Sequence, residues 1–270
     1  MLRPRYRPGW VASWIGTKKS PLDCEDFYTQ SAGKCMDAVR IANNQQVMIK
    51  KVWTTYSPQE TEIGQYLSSS EMAAKPGNHC VPILDAFKMP GYSDLELLVM
   101  PLLRRFEDPP FRSVGEVIPL FKQAFEGIQF MHKHHVAHRD CTDVNILMDP
   151  SGMYPLGFHP GETVLALGSG TRLAKHYTRR ERPPKYYLID FGHSRRYNPE
   201  DGIPAEIPLG GADRTVPEFK GEGTTRPANP YPTDIYYLGN FIKERFMMKF
   251  TNFEFMTDLV KNMTQDDPSK

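Results

Sequence analysis

Four side chains in this sequence have the types and positions needed to move a charged group between two oxygens. In HRDCTDVNIL (138–147), Asp140 lies five residues before Asn145. A carboxylate can accept a hydroxyl proton, and a neighbouring amide oxygen is a hard ligand of the kind Mg²⁺ takes. Asp190, in DFG (190–192), offers a second hard oxygen, and Lys50, at the end of VMIK (47–50), offers a cation for phosphate oxygens. Together they supply the charge neutralisation and positioning that phosphoryl transfer requires. Each has an ordinary rival when taken alone. Lys50 could be a solvated strand end, and Asp140, Asn145 and DFG could be turn chemistry.

The elements that must position these groups are legible from pattern. AVRIA (38–42) and VMIKKVW (47–53) are β-rich runs joined by NNQQ, which predicts a hairpin ending near Lys50. SPQE (57–60) reads as a helix start, with Ser57 as N-cap and Glu60 in the capping-box position. VPILDAF and LELLVMPLL read as two further strands. From residue 116 an amphipathic helix places Val117, Leu120, Phe121, Phe125, Ile128 and Met131 on one face and delivers the chain to His138. YYLIDFG is a strand running into Asp190, and helices are expected at 234–248 and 253–263. The pattern is α+β, with strands early and helices late.

VMIK, HRDCTDVN, DFG, VPE (216–218) and DIYYLG (234–239), in that order and with these elements before them, resemble the eukaryotic protein-kinase signature set. The wording of NHCVPILD, VAHRDCTDVNILMDP, RPPKYYLIDFG and PTDIYYLGN is most similar to the expanded kinase-like families of mushroom-forming fungi. The resemblance covers about residues 27–267. It implies a two-lobed fold with a small β-rich N-lobe (27–100) carrying one main helix, a hinge (101–104) and a larger helical C-lobe (105–270). Residues 1–26 would be an irregular lead-in. It also implies ATP and Mg²⁺ as cofactors, with Asp140 as the base and Asn145 and Asp190 as metal ligands. Lys50 would hold the α/β-phosphates and Glu62 would be its ion-pair partner, Glu60 being assigned to the cap. Met100, Pro101, Leu103 and Leu147 would surround adenine. His138 and Phe191 would stack, Asp234 would brace the catalytic loop, and Arg139 resembles the Arg that kinases pair with an activation-segment phosphate. Ser194, Tyr197 and Thr215 are the candidate phosphorylation sites.

The sequence departs from that set in four places. QSAGK (30–34) has one Gly where three are usual, reducing close approach to phosphates. Met48 replaces a small residue facing adenine. Thr142 stands where a Lys is familiar. No Arg partner for Glu218 appears before Lys270, so the resemblance implies an incomplete C-lobe. About 151–185 is an insertion, Gly/Pro-rich and then basic (TRLAKHYTRRERPPK), expected to be functional or disordered.

Composition sets outer bounds. A net charge of +1 gives no global reason for nucleic-acid or membrane binding, and the longest apolar run is too short to span a bilayer. Four spaced cysteines suit reduced thiols, hence a cytoplasmic or nuclear setting. His134 and His138 have no ligand set to complete a zinc site. The expectation is a protein kinase for Ser/Thr hydroxyls with a protein substrate. A pseudokinase scaffold and a small-molecule kinase are its rivals.

Overall fold

The computed structural model describes residues 1–29, 33–209 and 213–267. The fold is α+β, sheet-rich in its N-terminal part and helical in its C-terminal part. Two compact units divide the chain. One is Met1–Trp53, Ile83–Arg104 and Met148–Lys185; the other is Thr54–Pro82, Arg105–Leu147 and Tyr186–Lys270.

The first unit is built on an antiparallel sheet of β1 (Cys35–Val39), β2 (Gln46–Trp53), β3 (Asp85–Lys88) and β4 (Leu95–Pro101), ordered β1-β2-β4-β3. The predicted hairpin forms, with Asn44 in the left-handed region that its side chain tolerates. Ala38, Val47 and Val99 make the core of one sheet face, with Ile49 and Leu84 against them. The lead-in and the insertion belong to this unit rather than lying outside it. Leu2 bridges to Ala38, so the N-terminus extends the sheet edge. Within the insertion, Met153, Tyr154, Phe158 and Leu165 are buried. Arg104 lies between the rings of Tyr154 and Phe158, 4.4 and 4.7 Å from their centroids. A buried guanidinium held between two rings is a strong local anchor. Gly170 makes the closest backbone contact, since a Cβ there would fall 2.4 Å from the carbonyl carbon of Asp23.

The second unit holds α1 (Glu60–Leu67), α2 (Ser70–Ala73), α3 (Val114–Lys133), α4 (Pro230–Ile242) and α5 (Thr257–Met263). Along α3, Val117, Leu120, Phe121, Ile128 and Met131 are buried as the 3.6-residue period requires, and Phe125 is half-buried. A π-turn, Lys243–Met247, follows α4 and turns Phe246 into a cluster with Phe106, Phe121, Phe241 and Phe253. Ring separations of 4.9 to 6.2 Å in tilted and edge-on geometries suit their quadrupoles. Among the described residues no helix is long and apolar enough to cross a membrane.

The start of α1 corrects one expectation. Its N-cap is Gln59 rather than Ser57, and no side chain caps it. Ser57 contributes its carbonyl, which accepts from the Glu60 amide at 3.3 Å, so Glu60 is the first helical residue and not a capping-box partner.

Candidate functional site

In the second unit the stretch HRDCTDVNIL is held from below by one carboxylate. Asp234 of α4 is fully buried and accepts from the backbone amides of His138 at 2.8 Å and Arg139 at 2.7 Å. His132 reaches the same carboxylate at 2.9 Å. Two amides aimed at one buried anion fix the loop more firmly than its own turn could. They also hold Arg139 at φ 67°, a conformation unfavourable for a side chain of that kind. His138 is buried, its Nδ1 accepting from the Asp140 amide and its Nε2 donating to the Ile189 carbonyl. Burial pulls its pKa below the usual histidine range. Its ring meets Phe191 edge-on at 5.9 Å.

These supports bring the proton-handling and metal-binding candidates together. Asn145 donates through Nδ2 to the Asp140 carbonyl at 2.8 Å and to its carboxylate at 2.9 Å. The Ile189 amide donates to the Asn145 carbonyl at 2.9 Å, which draws the Asp190 stretch to the loop. Asp190, at φ 62°, accepts from the Gly192 amide at 3.2 Å. Thr142 is buried two residues from Asp140, and His193 Nδ1 lies 4.0 Å from the Asp140 carboxylate. Leu147 is half-buried in the short strand that follows Asn145.

Of the two acidic residues on α1, Glu62 is exposed and Glu60 is 4% exposed. A Cβ on Gly192 would lie 3.2 Å from Glu60 Oε2, 3.1 Å from Ser57 Oγ and 3.1 Å from Asp190 Oδ1. The buried helix carboxylate beside DFG is therefore Glu60. Choosing Glu62 rested on the capping box, which does not form. Glycine at 192 is what lets three oxygens crowd this point.

The first unit carries Lys50, Met100, Pro101 and Leu103. Lys50 is half-buried on β2, opposite Leu98 and Cys35. Met48 is opposite Met100 on one side and Asp37 on the other, so Met48, Lys50, Met100 and Asp37 share a sheet face. Pro101 ends β4 and Leu103 is half-buried beyond it, while the Leu102 amide donates to the Gln46 carbonyl. In QSAGK, Gln30, Ser31 and Ala32 lie outside the described residues.

Asp37 is the member of this face that pattern reading misses. It is 1% exposed, and Arg3 Nε and the Tyr6 hydroxyl both donate to it, the latter at 2.7 Å. Arg5 donates to the carbonyls of Glu25 at 2.9 Å and Tyr28 at 2.8 Å, and its Nη2 lies 3.2 Å from the Glu25 carboxylate. Buried His159 of the insertion closes the network. Its Nδ1 accepts from the amides of Gly161 and Glu162, so Nε2 carries the proton and faces Glu25. The Glu25 carboxyl is held below its ordinary range, chiefly by His159. The available signal was weak: an Asp in the middle of a strand demands cations, and RPRYR offers three arginines within five residues.

Outside the site, the basic run is ordered and largely solvated. Arg172, Lys175, Arg180 and Arg182 are exposed, Arg179 is buried, and Glu181 caps the turn at Thr178. Glu218 has a partner in the Thr233 hydroxyl at 3.2 Å. The His cluster is dispersed over separate contacts, with His134 on the Phe130 carbonyl and His132 on Asp234. No protein-family model matches the chain, and no match is found among curated proteins.

Proposed function

We propose that the chain is an ATP- and Mg²⁺-dependent protein kinase that transfers the γ-phosphate to Ser/Thr hydroxyls, with a two-lobed kinase-like fold. The observation that carries the reading is the Asp140–Asn145 contact at 2.9 Å, held on a loop whose amides are tied to buried Asp234. Asp140 accepts the proton of the acceptor hydroxyl as its oxygen bonds to the γ-phosphorus and the bond from that phosphorus to the bridging β-phosphate oxygen breaks, with ADP as the leaving group. Asn145 spends its amide nitrogen on Asp140, which leaves Oδ1 as its end for a cation, and Asp190 adds a carboxylate. An all-oxygen donor set fits Mg²⁺, which when bound neutralises phosphate charge. On this reading Lys50 is the residue suited to the α/β-phosphates, buried Glu60 rather than exposed Glu62 is the helix carboxylate beside Asp190, and Met100, Pro101, Leu103 and Leu147 are the candidates for adenine.

The test is γ-phosphate transfer to a generic protein substrate. Asp140→Asn should lower turnover about 10²–10⁴-fold, the usual worth of a positioned base, and Asp190→Ala should abolish metal-dependent transfer. Undiminished transfer by Asp140→Asn would reject the mechanism.

A second reading, a pseudokinase with little or no catalysis, is favoured by a different observation. Arg3 and Tyr6 converge on Asp37, beside Met48 on the face assigned to adenine. Thermal-shift titration separates the two. Mg·ATP stabilises the kinase, and an unshifted midpoint at millimolar nucleotide supports the scaffold.

A further inference from the structure

The loop that carries Asp140 has a second attachment, made by a side chain that the phosphotransfer reading does not use. Arg139 is 6% exposed, and its guanidinium faces one anion: Nη1 lies 2.8 Å from Glu206 Oε2. Its other side-chain hydrogen bonds among the described residues go to carbonyls, with His193 O at 3.4 Å from Nη1 and Ile207 O at 3.2 Å from Nη2. One fork thus joins the catalytic loop to the segment after DFG at two places, residues 193 and 206–207. Glu206 is not on a loose loop. Its amide donates to the Ala228 carbonyl at 3.0 Å, and its carbonyl accepts from the Ala228 amide at 2.9 Å. Tyr197 stands near the pair, and burial followed by the Glu206 charge pushes its phenol up.

Two of the three candidate hydroxyls, those of Ser194 and Thr215, are committed elsewhere. Ser194 is buried and its hydroxyl donates to the His138 carbonyl at 3.0 Å. Thr215 shares its hydroxyl between Asp213 and Asn240, at 2.8 and 2.6 Å. The cavity beside the pair, lined by Arg139, Glu206, Pro208 and Tyr237, measures about 20 Å³. That is room for one water, not for a phosphate group.

We infer that Glu206 is a positioning residue: its carboxylate fixes Arg139, and through it Asp140, so the site is held ready by the chain's own charge without phosphorylation of the segment 194–215. The inference rests on the phosphotransfer reading for its catalytic consequence only. A buried cation losing its counter-charge moves, and misplacing a catalytic group by about 1 Å costs roughly 10²-fold in rate.

The experiment compares the full chain with Glu206→Gln and Glu206→Asp. It measures γ-phosphate transfer before and after phosphatase treatment, and hydrogen exchange at amides 138–145. The expected result is wild-type transfer unaffected by phosphatase. Glu206→Gln should lower kcat about 10²-fold with the KM for ATP unchanged, and should raise exchange at 138–145; Glu206→Asp should recover most of both. Loss of wild-type transfer on dephosphorylation would overturn the inference, as would unchanged exchange at 138–145 in Glu206→Gln. If the wild type transfers no phosphate at all, the kinase reading fails, and the exchange comparison alone decides whether Glu206 positions the loop. A Glu206→Gln variant that does not fold is replaced by Ala228→Pro, which removes the Ala228 amide that holds the Glu206 carbonyl and should raise the same exchange.

Discussion

Replacing Glu25 by Gln tests how the insertion is fastened to the small sheet. The carboxylate lies 3.2 Å from Arg3 Nη1, from Arg5 Nη2 and from His159 Nε2. Arg5 has a side chain only 1% exposed, so its charge has little water to fall back on. A unit pair near 4 Å is worth about 4 kcal/mol at an effective dielectric of 20. Glu25 is 27% exposed and Arg5 keeps two backbone carbonyls, which reduces the loss to about 2–3 kcal/mol. If the insertion opens locally, that loss multiplies its open population by about 30–150. Hydrogen exchange at Gly161, Glu162 and Leu165 should accelerate by that factor, while exchange at β2 and β4 stays put. The pH dependence gives a second check. Folding lowers the Glu25 pKa below its ordinary 4.5, so its contribution is complete above that value and disappears as the pH falls through the folded value. Wild type and Glu25→Gln should therefore converge in acid. Equal exchange at 161–165 in the two proteins at neutral pH would refute the reasoning.

Three further outcomes are expected. Glu60→Gln should cut phosphate transfer at least about 10-fold while Glu62→Gln matches wild type, because only Glu60 is buried beside Gly192; the reverse order in a kinetic assay would restore Glu62. Gly170→Ala pushes a methyl against the backbone of Asp23, which cannot rotate away, and should cost about 1–3 kcal/mol, visible as faster exchange at Thr171 and Arg172. His138 is buried and neutral with its pKa lowered, so the unfolded chain takes up a proton first as the pH drops below about 6.5. Stability should fall below that pH by at most about 1.4 kcal/mol per unit, and His138→Phe should flatten the slope in denaturant titrations.

What the sequence determined by itself was local and periodic. The hairpin read at 38–53, the long helix before His138 and the strand before Asp190 follow from alternation, a 3.6-residue stripe and an aromatic and aliphatic run, although the first hairpin strand is Cys35–Val39 rather than 38–42. The five-residue spacing of Asp140 and Asn145 likewise survives folding as a direct contact, because a single tight loop carries both. The choice between Glu60 and Glu62 was not legible. Two carboxylates two residues apart have the same propensity, and only the direction of the helix start decides which is buried. Nor could composition reveal that RPRYR, Glu25, Asp37 and His159 form one network. Its contacts join residues up to 134 positions apart, brought together by the fold. Burial of charge is a tertiary property: the sequence supplies the ions, and the packed structure decides which must find partners.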